Sequence, residues 1–169
     1  MVQRLIAKYA LLAVFLAFPF PAHAVPKKGM ELPPFDATTA NSQKISSPAF
    51  AGKVVLLAIS TDTCTYCKRA IPRLNSIQGR YGSQGVQVQG LIYGPGFGVE
   101  KLKRYIENNE IMFPLALATQ KTVSDTIGAH SVPTYLLLNK KGTVAGYYRG
   151  YSEQNMQEIE KQVKVLLAE

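Results

Sequence analysis

Apolar residues in this chain switch between strand-like runs and helical spacing, and the switches predict the order of its elements. Residues 54–59, Val-Val-Leu-Leu-Ala-Ile, form an unbroken apolar run of strand length, as expected of a strand covered on both faces. Cys67, Ile71, Leu74, Ile77 and Tyr81 then recur at helical spacing. They predict a helix beginning near Cys64, with Thr61, Asp62 and Thr63 available to cap it. Pro72 lies inside this helix and has no N–H for the carbonyl of Lys68, so a kink is expected there. Gly82 and Gly85 mark the exit, and a second strand over 86–93 ends in the loop Gly94-Pro95-Gly96-Phe97-Gly98.

Val99, Leu102 and Ile106 predict another amphipathic helix, with Lys101, Lys103 and Arg104 on its outer side. A short strand over 115–118 and a brief helix over 121–127 follow. Strands over 134–138 and 143–148, joined by Asn139-Lys140-Lys141-Gly142, read as a hairpin. Met156, Ile159, Val163 and Leu166 line one face of a final helix. Strand–helix–strand alternation closed by a hairpin and a helix predicts an α/β fold, a central mixed sheet flanked by helices.

The first 51 residues are of a different kind. Arg4 and Lys8 precede an apolar stretch over 9–20, and Ala22-His23-Ala24 follows it. This is the layout of a cleavable secretory signal over residues 1–24, cut after Ala24. The apolar stretch is about 12 residues long, short of the about 20 that a membrane-spanning helix needs. Residues 25–51, rich in Pro, Ser, Thr and Ala, are expected to be an extended N-terminal lead-in packing on the domain, with at most short strands or a hairpin. Residues 52–169 then form the single domain.

Composition removes several functions. The chain carries 19 Lys and Arg against 11 Asp and Glu, a formal charge of +8, and +6 remains once Arg4 and Lys8 leave with the signal. On an exported protein this charge implies solubility and some attraction to acidic partners, with no nucleic acid to meet. His23 leaves with the signal too, so His130 is then the one histidine beside Cys64 and Cys67. Three such residues fall short of the four donors of a structural zinc site, and no metal or cofactor is expected.

The chemistry sits in Cys64-Thr65-Tyr66-Cys67, placed where a strand gives way to a helix. Residues three apart share a helix face, so the two sulfurs can close a disulfide with little backbone change. So short a loop removes little unfolded-chain entropy and makes a poor structural staple, which favours a redox role. Cys64, at the helix start with Lys68 one turn on, is the expected nucleophile. Cys67, at the head of the buried stripe, is the expected resolving thiol. Asp62 would oppose the activation of Cys64 if it lies close.

The strand, the Cys-x-x-Cys helix with a proline five residues after Cys67, and Val132-Pro133-Thr134 before a hairpin together resemble the thioredoxin superfamily. The helix and short strand inserted over 98–118, with the exported context, are similar to the TlpA/ResA-type periplasmic thiol–disulfide oxidoreductases. The resemblance covers nearly all of the chain after the signal. It implies a thioredoxin fold with a central helix-plus-strand insertion and an N-terminal extension. It also implies that Pro133 is cis beside the disulfide and that the Val132 backbone binds a partner peptide. Periplasmic proteins with disulfides or thiols would be the substrates, cytochrome c maturation the commonest association, and a membrane dithiol carrier the electron donor, with the protein a monomer.

Thr63, Thr65, Tyr66 and Lys68 are the positions expected to tune the couple. Thr63 stands where the family's aromatic precedes the first cysteine. The family's two buried acids fall at Ala58 and Ala70, which leaves water or another group to move protons for the buried thiol. Tyr66 before the second cysteine is similar to disulfide isomerases of the DsbC/DsbG kind, so an oxidant or isomerase is the alternative direction. A copper chaperone using both thiolates is a weaker alternative, because Sco-like copper proteins space their cysteines further apart and add a histidine. A peroxidase pattern starting at Thr61 fails at Leu57, where a proline belongs. Tyr93 and Phe97 could extend a docking surface, although ordinary loop packing is the better explanation of both.

Overall fold

The computed structural model describes residues 25–169; the expected signal over residues 1–24 lies outside them. Seven strands and three helices follow in the order β1 (Asp36–Thr39), β2 (Lys44–Ser46), β3 (Val54–Thr61), α1 (Thr65–Tyr81), β4 (Val86–Tyr93), α2 (Val99–Asn108), β5 (Leu115–Leu117), β6 (Thr134–Leu138), β7 (Val144–Arg149) and α3 (Glu153–Ala168). The strands form one mixed sheet in the order β2-β1-β5-β4-β3-β6-β7. β3 and β4 run parallel, as do β4 and β5, while the β1–β2, β1–β5, β3–β6 and β6–β7 pairs are antiparallel. This is the thioredoxin fold, with α2 and β5 as the inserted unit.

β3 is central, and its side chains divide the core. Val54, Leu56 and Ala58 face α1 and α3, where Ile71, Leu74, Ile77, Met156, Ile159 and Val163 close over them. Val55, Leu57 and Ile59 face the opposite side, covered by Phe35 and Phe50 of the lead-in and by Val123 and Ile127. The continuous apolar run of β3 thus reflects burial on both faces. A third cluster, Ile92, Phe97, Leu102 and Leu115, seats α2.

The lead-in contributes more than a covering. Its β1–β2 hairpin joins the sheet through β5, with Thr38 opposite Leu117. At the other edge, Asn139 Oδ1 accepts the N–H groups of Lys141 and Thr143, each at 3.0 Å, which fixes the tight turn before β7. Glu160 of α3 reaches α1 through Arg80 at 2.7 Å and the Tyr81 hydroxyl at 2.8 Å, tying together the two helices of one face.

One local expectation needs correction. The cap of α1 is none of Thr61, Asp62 or Thr63 but Cys64, whose sulfur accepts the Cys67 N–H at 3.1 Å. The Thr61 carbonyl instead takes the Cys64 N–H at 3.3 Å, which turns the chain before the helix begins. The brief helix expected over 121–127 is present, and its residues 122–126 take the wider π form. The Thr119 hydroxyl accepts the Thr122 N–H at 2.9 Å, and the Ile127 N–H reaches back five residues to the Thr122 carbonyl at 3.0 Å. The wider turn leaves both Val123 and Ile127 buried against the sheet. α1 itself continues through Pro72 as one helix of 17 residues.

Candidate active site

The end of β3 and the start of α1 place Cys64 at the sheet's carboxyl edge, where the next turn begins a helix. Cys64 and Cys67 are joined in a disulfide, with Cα atoms 5.2 Å apart. Cys64 is half-buried, whereas Cys67 is 5 % exposed and belongs to the buried stripe of α1. The Cys67 N–H on the Cys64 sulfur is one of the first-turn amides that has no partner within the helix. An amide aimed at Sγ, together with the positive end of the helix dipole, favours a thiolate at that position.

The Val132–Pro133 peptide bond is cis, and Pro133 shares a cavity wall with Cys67. Its carbonyl accepts the Gly150 N–H at 2.8 Å, and the Thr134 hydroxyl donates to the Ser131 carbonyl at 2.7 Å. These bonds hold both sides of the proline turn. Val132 is half-buried against the lead-in face of the core.

Thr63, Thr65 and Lys68 are exposed, and Tyr66 is 57 % exposed with the Arg69 guanidinium 5.3 Å from its ring centre. The Lys68 ammonium lies 5.9 Å from the centre of the Tyr105 ring on α2. Burial first and the Asp62 carboxylate second push the Tyr105 phenol above its ordinary range. Phe97 meets Tyr105 edge-on at 6.1 Å and is 8 % exposed, so it packs the base of α2. Tyr93 is half-buried, and burial raises its phenol.

Behind Cys67 lies a cavity of about 20 Å³ whose walls include Ala58, Ala70, Pro133, Tyr105 and Tyr135. Tyr135 is 1 % exposed, and its hydroxyl has no hydrogen-bond partner among the described residues. Burial, and next Tyr151, hold its phenol well above the ordinary range. Neither Tyr105 nor Tyr135 is singled out by the sequence. The one available signal for Tyr135 is its place two residues after Pro133, directly opposite Ala58 in the β3–β6 register.

The raised phenols have a consequence for stability. Folded Tyr135 holds its proton more tightly than the unfolded chain, whose tyrosines titrate at 10.0. That stability is fully present below pH 10.0 and is lost as pH rises through the folded value. The urea midpoint should therefore fall between pH 9 and about 11, and Tyr135→Phe should fall less steeply over the same range. Equal slopes for the two proteins would refute the assignment.

The fold and the Cys64–Cys67 pair define the class, a thiol–disulfide oxidoreductase of thioredoxin fold. More particularly, the chain belongs to the AhpC/TSA family, whose model matches residues 29–147. Among curated relatives, "Thiol-disulfide oxidoreductase ResA" of Geobacillus kaustophilus is 28% identical over 151 residues, 84% of this chain and 85% of that protein. ResA of Bacillus thuringiensis subsp. konkukian is 27% identical over 136 residues, 80% of this chain and 76% of that protein. Among solved structures, a putative thiol:disulfide interchange protein DsbE from Chlorobium tepidum superposes with a TM-score of 0.77 at 20% identity, covering 84% of this chain and 99% of that one. StoA from Bacillus subtilis gives 0.63 at 21% identity, covering 77% and 96%. Among the described residues, no helix is long and apolar enough to cross a membrane.

Proposed function

We propose that this protein is an exported reductant of disulfides in periplasmic partner proteins, working through Cys64 as nucleophile and Cys67 as resolving thiol. The observation that carries the reading is the asymmetry of the pair: a half-exposed sulfur at a helix start bonded to one that is 5 % exposed. In the reduced protein the Cys64 thiolate attacks one sulfur of the partner's disulfide and releases the other as a thiolate. Cys67 then loses its proton and attacks the Cys64 sulfur. The Cys64–Cys67 disulfide closes, and the partner leaves with two reduced sulfurs, one of which receives the Cys67 proton. Two electrons pass from this protein to the partner, and a membrane dithiol carrier would return them.

The names of the ResA relatives support the chemistry. The basic, apolar and small-residue order of residues 4–24 supports export. Maintenance of apocytochrome thiols is the family association that best fits a reductant of this kind. The main chain at Val132 and the ring of Pro133, next to the disulfide, would receive the partner's backbone. Thr63, Thr65, Tyr66 and Lys68 would set its potential and contacts. Exposed Tyr66 and the alanines at 58 and 70 favour the second reading, an oxidant or isomerase that uses the same two sulfurs.

The reduction potential of the couple, measured against glutathione or dithiothreitol buffers, decides between the two. A value near or below about −250 mV is expected for the reductant, and one above about −180 mV would reverse the direction of electron flow.

A further inference from the structure

The basic side chains of α1 differ in how their charge is met, according to their distance along the helix from the disulfide. Arg73 and Arg80, further down, are neutralised by α3: Arg73 lies 3.6 Å from Glu153 and Arg80 lies 2.7 Å from Glu160. Lys68 and Arg69 directly follow Cys67 and make no ion pair among the described residues. They rest on aromatic rings instead, Lys68 at 5.9 Å from the centre of Tyr105 and Arg69 at 5.3 Å from that of Tyr66. A ring holds a cation in place without cancelling its charge. Asp62, two residues before Cys64, offers Lys68 some compensation. For Arg69, the acid at the start of α3, Glu153, is already bonded to the Tyr151 hydroxyl and to Arg73. The cis-proline turn carries the same signature. Arg149, at the end of β7, is exposed, pairs with Thr134 in the sheet register and has no ion pair among the described residues. The residue after it, Gly150, donates its N–H to the Pro133 carbonyl at 2.8 Å.

We propose that Arg69 and Arg149 determine specificity, selecting partner polypeptides that carry Asp or Glu beside the disulfide to be attacked. The proposal rests on Cys64 being the attacking sulfur. Arg69 follows the disulfide on α1 and Arg149 adjoins the cis-proline turn, so both border the surface that a partner's chain must cross to reach Cys64. The guanidinium suits the task, because its planar fork donates two parallel N–H bonds to one carboxylate. Tyr66 keeps Arg69 at the exposed rim with its charge intact, which gives the 57 % exposed tyrosine a use that packing does not. Opposite charge across the contact speeds the encounter, and like charge rejects basic partners before any sulfur is exchanged.

The test uses reduced Cys67→Ser protein and three synthetic peptides of one sequence, each closed by a single disulfide and flanked by Glu, by Gln or by Lys. The rate at which Cys64 forms the mixed disulfide is read by mass spectrometry after acid quenching. It should be about tenfold higher for the Glu peptide than for the Gln peptide, a ratio that two exposed ion pairs can supply together, and lowest for the Lys peptide. Adding Arg69→Gln and Arg149→Gln should bring the Glu-to-Gln ratio close to one, and the ratio cancels any change in the reactivity of Cys64 itself. Adding Lys141→Gln and Lys164→Gln instead removes the same net charge from exposed positions in the β6–β7 turn and the last turns of α3, and should leave the ratio in place. A ratio near one in the parent would overturn the proposal. Equal falls with the two pairs of substitutions would overturn it too, because overall charge and not these arginines would then attract the peptide. A reduction potential on the oxidant side would defeat the functional reading while leaving these rates comparable, whereas a trap that forms no adduct with any peptide would overturn both.

Discussion

Cys67→Ser should convert the protein from a catalyst into a trap. Cys64 keeps its half-exposed position at the start of α1 and still attacks a partner disulfide, but no second sulfur is available to release the adduct. Incubated with a disulfide-bearing protein, the reduced variant should accumulate a mixed disulfide that dithiothreitol dissolves, and its turnover should drop to the rate of the buffer alone. Cys64→Ser should lose turnover as completely and trap nothing, because Cys67 is 5 % exposed and beyond the reach of a folded partner. Mass spectrometry of the adducts assigns the sulfur. Adducts of Cys64→Ser through Cys67, in yield equal to those of Cys67→Ser, would exchange the two roles.

Elements defined by burial could be read directly from the chain, and elements defined by polar side chains could not. β4 spans Val86–Tyr93, the range expected of it, and Met156, Ile159, Val163 and Leu166 are the buried residues of α3. In both cases the sequence period and the buried face are the same fact. The cap of α1 was hidden because cysteine is not among the usual capping residues, yet its sulfur lies 3.1 Å from the Cys67 amide. The π turn was hidden because it depends on hydroxyl and main-chain bonds around Thr119 and Thr122, which leave the apolar spacing unchanged.

At the site, Cys64, Cys67 and Pro133 stand out in sequence because each residue type has few other uses in that setting. Tyr135 does not, because Thr134–Leu138 is buried throughout and no alternation marks which side chain turns toward α1. Its importance comes from register: it pairs with Ala58 on β3, and that alanine leaves the space that the tyrosine borders.

Leu56→Ala should be the most damaging single change to the fold. Leu56 is 0 % exposed at the centre of β3, in the cluster that joins the sheet to α1 and α3. Its truncation removes transfer energy and leaves a space that two packed helices and a paired strand cannot readily fill, at a cost of about 2–5 kcal/mol. Against a typical total of roughly 5–15 kcal/mol, that is a large part of the stability. Urea denaturation should show a much lower midpoint with an unchanged slope, since the surface exposed on unfolding is nearly the same. Val165→Ala, on the 49 % exposed side of α3, should shift stability by no more than about 0.5 kcal/mol. Comparable losses in the two variants would show that α3 and the sheet are not packed as described. The same core also governs the thiols. β3 carries the chain to Cys64, and α1 holds Cys67 against the same cluster, so loosening this core should expose Cys67 to alkylation in the reduced protein before the whole domain unfolds.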